Sequence, residues 1–371
     1  MVTARPDEEK DVGYRTISRP LIEAIETAKL RVNVELLRPA TYQALSKQLE
    51  EKGAGYYHII HFDAHGSLMS YEQLQKGIKR KRYTFQARWG REDIDPYEGV
   101  KAFLFLEGET QGKPDPVEAS ELADLLTGKG IPVCILNACQ SGKERPNPPT
   151  SFPADESGGA GGAGGAGGAE GGVLDDARET SLGSRLMAAG MQMVVAMGYS
   201  VTVTAASLLM ETVYKQVFAE KTIREALRLG RRELYNNKQR KAYYNQTIDL
   251  EDWLLPVVYT NQPVNLNLRE FTPQEEEDYY AARQQQYRFT QPTYGFVGRD
   301  LEILKIEKAL LRHPILLLRG MGGTGKTTLL LYLQEWWQTT HFAEAIFYFG
   351  YDIKAWTLKP ILREIGKQVY D

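Results

Sequence analysis

Two short apolar runs, each closed by a reactive side chain near a glycine, limit what this chain can fold into more than any other feature. Tyr56-Tyr57-His58-Ile59-Ile60-His61-Phe62 leads into Asp63-Ala64-His65-Gly66, and Pro132-Val133-Cys134-Ile135-Leu136 leads into Asn137-Ala138-Cys139-Gln140-Ser141-Gly142. Short apolar runs closed by turn residues fit the buried strands of a parallel sheet. In open α/β sheets, reactive groups gather at the carboxyl ends of the strands. His65 and Cys139, 74 positions apart, are therefore expected to leave the core at one edge of one sheet. A thiol becomes a nucleophile when a base or cation stabilises its thiolate, and imidazole is the usual partner.

The surrounding text supplies the rest of such a layer. Val2–Pro6 looks like the tail of a strand, and Arg31–Leu37 alternates polar and apolar residues as a strand does. Thr41 is placed to cap a helix over Tyr42–Lys52 that closes at Gly53, which gives a β–α–β order and a parallel sheet. Glu118–Gly128 reads as the helix leading into the Cys139 run, with Ser120 as its cap. Leu182–Ala189 reads as a helix, Met191–Met197 as a strand, and Ala205–Lys221 and Ile223–Asn236 as two more helices. The last is basic (Arg224, Arg228, Arg231, Arg232) but lacks interleaved aromatics, so it reads as a solvated or domain-facing surface. Trp253–Tyr259 reads as a final edge segment, because Pro256 disfavours a central strand. His61 reads as packed or hydrogen-bonded and His58 as structural.

Between Lys143 and Thr180 the composition collapses into prolines and then ten glycines from Gly158 to Gly172, the signature of a flexible tether. Arg178 and the acids Asp155, Asp175 and Asp176 flank it as candidate self-cleavage positions.

The two reactive strings resemble the His-Gly and Ala-Cys-x-Ser-Gly signatures of caspase-like cysteine peptidases, and specifically those of the CHAT branch, which is also related to separase. ISRPLIEAI (Ile17–Ile25), LRPATYQAL (Leu37–Leu45), FLFLEG (Phe103–Gly108), VVAMGYSVT (Val194–Thr202) and WLLPVVY (Trp253–Tyr259) extend the similarity over roughly Val2–Thr260. The His–Cys separation exceeds the about 50 residues usual in caspases, and the polar stretch Ser70–Glu98 absorbs the excess. The resemblance implies Cys139 as nucleophile, His65 as general acid, and the backbone N–H groups of Gly66 and Cys139 as oxyanion donors. It implies Asp63, Asn137, Gly198, Tyr199 and Ser200 as candidate substrate-pocket lining. Asn137 stands where metacaspases carry the acid that selects a basic side chain, and Met197–Thr202 offers no arginine for an acidic one.

The C-terminal part carries other chemistry. Pro314–Leu318 is an apolar run expected to be a strand, followed by Gly320-Met-Gly-Gly-Thr-Gly325-Lys326-Thr327-Thr328 and an apolar helix from Leu329 to Trp337. This is G-x-x-x-x-G-K-T between strand and helix, the setting of a P-loop. Its backbone N–H groups and helix N-terminus suit phosphate. Gly320, Gly322, Gly323, Gly325, Lys326, Thr327 and Thr328 are the candidate nucleotide-binding residues, with Thr327 on the Mg²⁺ of the nucleotide. Val297, Gly298 and Arg299 lie in Gly295-Phe-Val-Gly-Arg299, which is similar to the element preceding the P-loop in STAND-type signalling ATPases; there it packs at the adenine side. Ala345–Gly350 and Leu358–Val369 read as the next strand and helix. No later metal-holding acid can be assigned, so this stretch reads as the first part of an ATPase that does not itself turn over ATP.

The expected fold is α/β: a caspase-like, mostly parallel sheet flanked by helices over residues 1–262, with a flexible insertion at 143–180. A linker over 263–293 and a truncated P-loop NTPase α/β domain over 294–371 follow. The net charge of −3 gives no electrostatic case for nucleic acid, and no apolar run approaches the about 18 residues of a membrane span. The N-terminus lacks a signal-peptide core, and two cysteines cannot build a disulfide framework, which fits a reducing cytoplasm. The resemblances imply a cysteine endopeptidase regulated by an ATP- or ADP-binding switch with Mg²⁺. The peptidase itself would need no cofactor. They also imply a protein substrate, homo-oligomerisation through the NTPase part, and a role in prokaryotic immunity or cell death. A non-proteolytic scaffold that uses the same fold for assembly is the alternative.

Overall fold

The computed structural model describes residues 1–7, 15–28, 32–80, 91, 93–138, 145–146, 178–179, 181–198, 201–241, 246–264, 266, 271–284, 289–290, 292–293, 295–352 and 354–370. The chain divides into two compact units, Met1–Ala28 with Pro39–Leu268, and Lys29–Arg38 with Arg269–Asp371.

The first unit contains, in chain order, β1 (Val2–Thr3), α1 (Ser18–Ala28), α2 (Tyr42–Lys52), β2 (Ile59–Asp63), β3 (His65–Met69), α3 (Tyr71–Lys79), β4 (Lys101–Glu107), β5 (Pro114–Glu118), α4 (Ala119–Gly128) and β6 (Val133–Asn137). After these come β7 (Arg145–Pro146), β8 (Arg178–Glu179), α5 (Leu182–Ala188), β9 (Met193–Met197), α6 (Val203–Phe218), α7 (Ile223–Asn236), β10 (Gln239–Lys241), β11 (Thr247–Asp249) and β12 (Pro256–Thr260). Five strands form the main sheet in the order β1-β2-β6-β9-β12; the first four run parallel and β12 closes the edge antiparallel. This is the mostly parallel sheet expected, flanked by helices. Pro256 sits at the first residue of the edge strand, where its missing N–H costs no central ladder bond.

Paired residues share a sheet face, so the faces can be read across the register. Ile60, Cys134, Val194 and Tyr259 lie on one face, which α5 covers closely enough that a Cβ on Gly183 would stand 2.8 Å from the Tyr259 ring. His61, Ile135, Val195 and Val258 lie on the other, where Tyr214 of α6 hydrogen-bonds His61 Nδ1 at 2.6 Å. The helix α7 packs on α6 at Gly230, whose Cβ would meet Leu209 at 2.8 Å. Phe62, Leu136 and Val194 fill the core without measurable exposure.

At Ala64 the chain leaves the main sheet. His65 is not the end of the β2 run but the first residue of β3, which pairs with β4 in a separate antiparallel sheet β3-β4-β5. A buried cluster of Met69, Leu74, Phe103 and Phe105 holds that sheet to α3. Ser70 caps α3 reciprocally with Gln73. Thr41 caps α2 and Gly53 ends it at φ 83°, as its sequence predicts. Ser120 is not the cap of α4: Glu118 occupies that position and Ser120 donates to its carboxylate. Residues 145–146 and 178–179 form a two-residue antiparallel ladder, β7 with β8. The glycine-rich run between them lies outside the described residues.

The second unit contains α8 (Pro273–Gln284), α9 (Asp300–Leu310), α10 (Lys326–Thr339) and α11 (Leu358–Tyr370). Three strands expected from sequence do not form. Residues 32–37, Pro314–Leu318 and Ala345–Gly350 join no ladder among the described residues, and alternation or apolarity makes a strand only where a neighbour accepts its hydrogen bonds. Residues 32–38 serve another purpose. Arg38 donates to Glu307 of α9 at 2.9 Å, to the Thr340 hydroxyl at 3.1 Å and to its carbonyl at 3.3 Å, and it lies over the Phe342 ring. The indole N–H groups of Trp336 and Trp337 also donate to Glu307 Oε1, each at 3.0 Å. No helix among the described residues is long and apolar enough to cross a membrane.

Candidate active site

The carboxyl ends of β1, β2 and β6 lie side by side, and a polar network joins them. Arg5, two residues past β1, donates through NH2 to Asp63 Oδ2 at 2.6 Å and through NH1 to the Asp63 carbonyl at 2.8 Å. The other carboxylate oxygen of Asp63 accepts from Asn137 Nδ2 at 2.9 Å. The backbone N–H of Arg5 donates to Glu107 Oε1, at the end of β4, at 3.2 Å. Arg5, Asp63 and Asn137 are 3 %, 5 % and 9 % exposed, so all three are built into the wall of the fold. Burial pushes the Asp63 carboxyl above its ordinary pKa, and Arg5, Asn137 and the nearby His65 pull against that shift.

His65 stands exposed just beyond this network. The β2–β6 ladder pairs Ile59 with Val133 through Asp63 with Asn137, every pair 74 positions apart. The amide of Ala64 continues the ladder by donating to the Asn137 carbonyl at 3.4 Å. Cys139, Tyr199 and Ser200 lie outside the described residues. Gly66 lies inside β3, opposite Leu104. Gly198 follows β9 and donates to the Leu255 carbonyl at 2.9 Å. Asp63, expected with Asn137 in a substrate pocket, accepts hydrogen bonds from both Asn137 and Arg5.

His61 is buried one turn of the pleat below Asp63, as a packed residue in its run should be. Burial lowers its pKa to about 3, and its Nε2 has no hydrogen-bond partner among the described residues. Cys134 lies inside β6, and burial pushes its thiol well above the usual range, so it is inert.

Sequence reasoning missed Arg5 and Glu107. The available signal was a charge directly after a strand, the one that singled out His65: Glu107 ends the apolar run Phe103–Leu106, and Arg5 follows Val2–Ala4. A groove of about 850 Å³ elsewhere on this unit, lined by residues including Tyr42, Arg91, Lys101 and Glu121, shares no residue with the network. Its cations are already neutralised: Arg91 binds Asp115 and Glu121, and Lys101 binds Glu118.

In the second unit the glycine-rich loop before α10 is exposed. Gly323 and Gly325 have φ of 77° and 79°, a region glycine enters freely, and Gly325 is the N-cap of α10. Lys326 Nζ, on the first helical residue, folds back to the carbonyls of Gly320 at 2.8 Å and Met321 at 2.7 Å. Thr327 and Thr328 follow in the first turn, and Gly322 lies between the two carbonyls and the turn. Arg299 reaches the same loop, donating to the Thr324 carbonyl at 2.8 Å, while Phe296 stacks on Tyr332 of α10 with ring centroids 4.1 Å apart. Gly298 has φ 77°, and Val297 is exposed. The five-residue element and the loop are thus joined in one place.

A family model described as the CHAT domain matches residues 13–285. No curated protein matches the chain.

Proposed function

The chain belongs to the CHAT domain family, a family of caspase-like cysteine peptidases, and on that premise we propose that it is a cysteine endopeptidase in which His65 and Cys139 form the reacting pair. One observation carries this reading: the β2–β6 ladder has a constant offset of 74, which is also the separation of His65 and Cys139. Asp63 and Asn137 are paired at the carboxyl ends of β2 and β6, and His65 and Cys139 each follow two residues later in the sequence. The Cys139 thiolate would attack the carbonyl carbon of the scissile peptide, with the amides of Gly66 and Cys139 facing the developing oxyanion. As the C–N bond breaks, the His65 imidazolium gives its proton to the leaving amine. Water then attacks the thioester, His65 takes up the water's proton as the acid is released, and the thiolate is restored.

Labelling by an electrophilic peptide ketone tests the pair. The expected result is covalent labelling of Cys139 that Cys139→Ala abolishes and His65→Ala slows at least a hundredfold. Equal labelling in His65→Ala would remove His65 from the chemistry and leave the fold as a binding scaffold.

The second unit supports a nucleotide-responsive switch of the STAND type. The loop fits a nucleoside di- or triphosphate with Mg²⁺. Lys326 and the amides around Gly320, Gly322, Gly323 and Gly325 would face the phosphates, Thr327 the metal and Thr328 the α-phosphate side. Val297, Gly298 and Arg299 would lie towards the base. The bound nucleotide would supply ordering of the loop. Titration with a fluorescent ATP analogue, with and without Lys326→Ala, tests this part separately from the peptidase. Homo-oligomerisation through this unit, a cytoplasmic setting and a role in prokaryotic immunity or cell death rest on the family resemblance.

A further inference from the structure

We propose that Arg5 is a positioning residue for the peptidase reaction: it fixes the carboxyl end of β2 so that the chain turns out of the main sheet at Ala64 and delivers His65 at a constant place. The inference rests on His65 and Cys139 being the reacting pair.

Its grounds are the strand ends. A single guanidinium holds both the carboxylate and the carbonyl of Asp63, at 2.6 and 2.8 Å, and also the carbonyl of Ala4 at 3.0 Å. The Arg5 amide holds Glu107 of β4, the strand on which the His65 strand pairs. Asn137 of β6, two residues before Cys139, takes the remaining oxygen of Asp63. The ends of β1, β2, β4 and β6 are therefore tied together around Ala64, the residue at which the chain changes sheets. Arginine's planar fork can hold a carboxylate and a carbonyl together, whereas a lysine ammonium is a point charge.

The charge of Arg5 is consumed in this arrangement. A substrate side chain meets a compensated pair, not a free cation, so Arg5 acts on the reaction through His65. The charged and titratable groups that meet at the junction are Arg5 of the β1 end, His61 and Asp63 of β2, His65 of β3 and Glu107 of β4, with Tyr214 of α6 behind His61. A buried ion pair adds little net stability compared with a well-packed apolar pair. That makes geometry the property to test.

The experiment measures the alkylation of Cys139 by iodoacetamide in the whole 371-residue chain as a function of pH, read by mass spectrometry. Cys134, the other thiol, is buried and silent. An imidazolium held beside Cys139 keeps it reactive well below the ordinary thiol midpoint of about 8.5. Arg5→Met is expected to move the midpoint up towards that value and to slow alkylation at pH 6.5 about tenfold, while Arg5→Lys lies in between. The double variant Arg5→Met/Asp63→Leu is expected to keep the wild-type melting temperature and still show the shifted profile. Should Arg5→Met unfold, the double variant and Arg5→Lys carry the comparison.

A merely structural role would lower the amplitude with the folded fraction and leave the midpoint in place. That result, or a folded Arg5→Met with the wild-type profile, overturns the proposal. So does a wild-type profile combined with a new preference for peptide probes of different charge, which would make Arg5 a substrate-binding residue. If wild-type Cys139 itself titrates near 8.5, the reading of the pair fails before Arg5 is reached.

Discussion

Lowering the pH should cost this fold stability through His61, by an amount that follows from its burial. The side chain is neutral in the folded state with a pKa of about 3, against an ordinary value of 6.5 when exposed. The unfolded chain therefore binds the proton more tightly. Stability from the neutral form is complete above pH 6.5 and falls as pH drops from there towards 3. Between pH 7 and pH 5 the difference amounts to about 2 kcal/mol. Asp63, whose pKa is raised, contributes with the opposite sign, gaining stability as pH falls. A single wild-type curve therefore mixes the two, and a variant is needed. His61→Asn removes the titration and leaves Asp63 in place. Urea unfolding followed by circular dichroism at pH 7, 6 and 5 should give a wild-type loss that exceeds the variant's by about 2 kcal/mol, most of it between pH 6 and 5. Parallel pH dependence in the two proteins would refute the argument. So would a histidine resonance of the folded protein, assigned to His61, that titrates near 6.5.

Arg38→Ala should destabilise the second unit by about 3 kcal/mol, because it strips a buried carboxylate of its cation while leaving Trp336 and Trp337 as donors; their fluorescence reports the transition, and a loss under about 0.5 kcal/mol would show that the contact is idle. Gly230→Ala should lower the melting temperature by several degrees despite alanine's better helix propensity, because its Cβ would press on Leu209 and Val213. Deleting Gly158–Gly172 should leave the fold intact and change stability by no more than about 0.6 kcal/mol, since it roughly halves a loop that β7 and β8 already close at its base. Unfolding of that deletion variant would make the run structural.

Much of the main sheet is legible in the sequence because its signals are local. Tyr42–Lys52 has a threonine before it and a glycine after it, and those two residues set its ends; Ile223–Asn236 is bounded by Thr222 and by the loss of its apolar stripe. Pro256 marks an edge for a reason that belongs to one residue. The failures are non-local. Residues 32–37 alternate, yet nothing in the segment reveals that Arg38 will be held by a glutamate far along the chain. Pro314–Leu318 has a strand's composition without a neighbour, and composition cannot supply one. At the site, His65 is marked by its place after an apolar run, whereas the part played by Arg5 depends on which strand ends meet. The sheet change at Ala64 is likewise invisible, because His61–Gly66 reads equally well as one strand or as two.

The contact between Arg38 and Glu307 closes a separation of 269 residues, and that has a consequence in time. At roughly 5–20 residues per second of synthesis, Glu307 is made on the order of 10 to 50 seconds after Arg38. Until then residues 32–38 lack the carboxylate that will hold Arg38, and by the time Glu307 is made every strand of the main sheet has already been synthesised. The main sheet is thus complete in sequence before residues 32–38 have their anchor. The order of translation sets a delay between making the first unit's sheet and anchoring a segment encoded near the start of the chain.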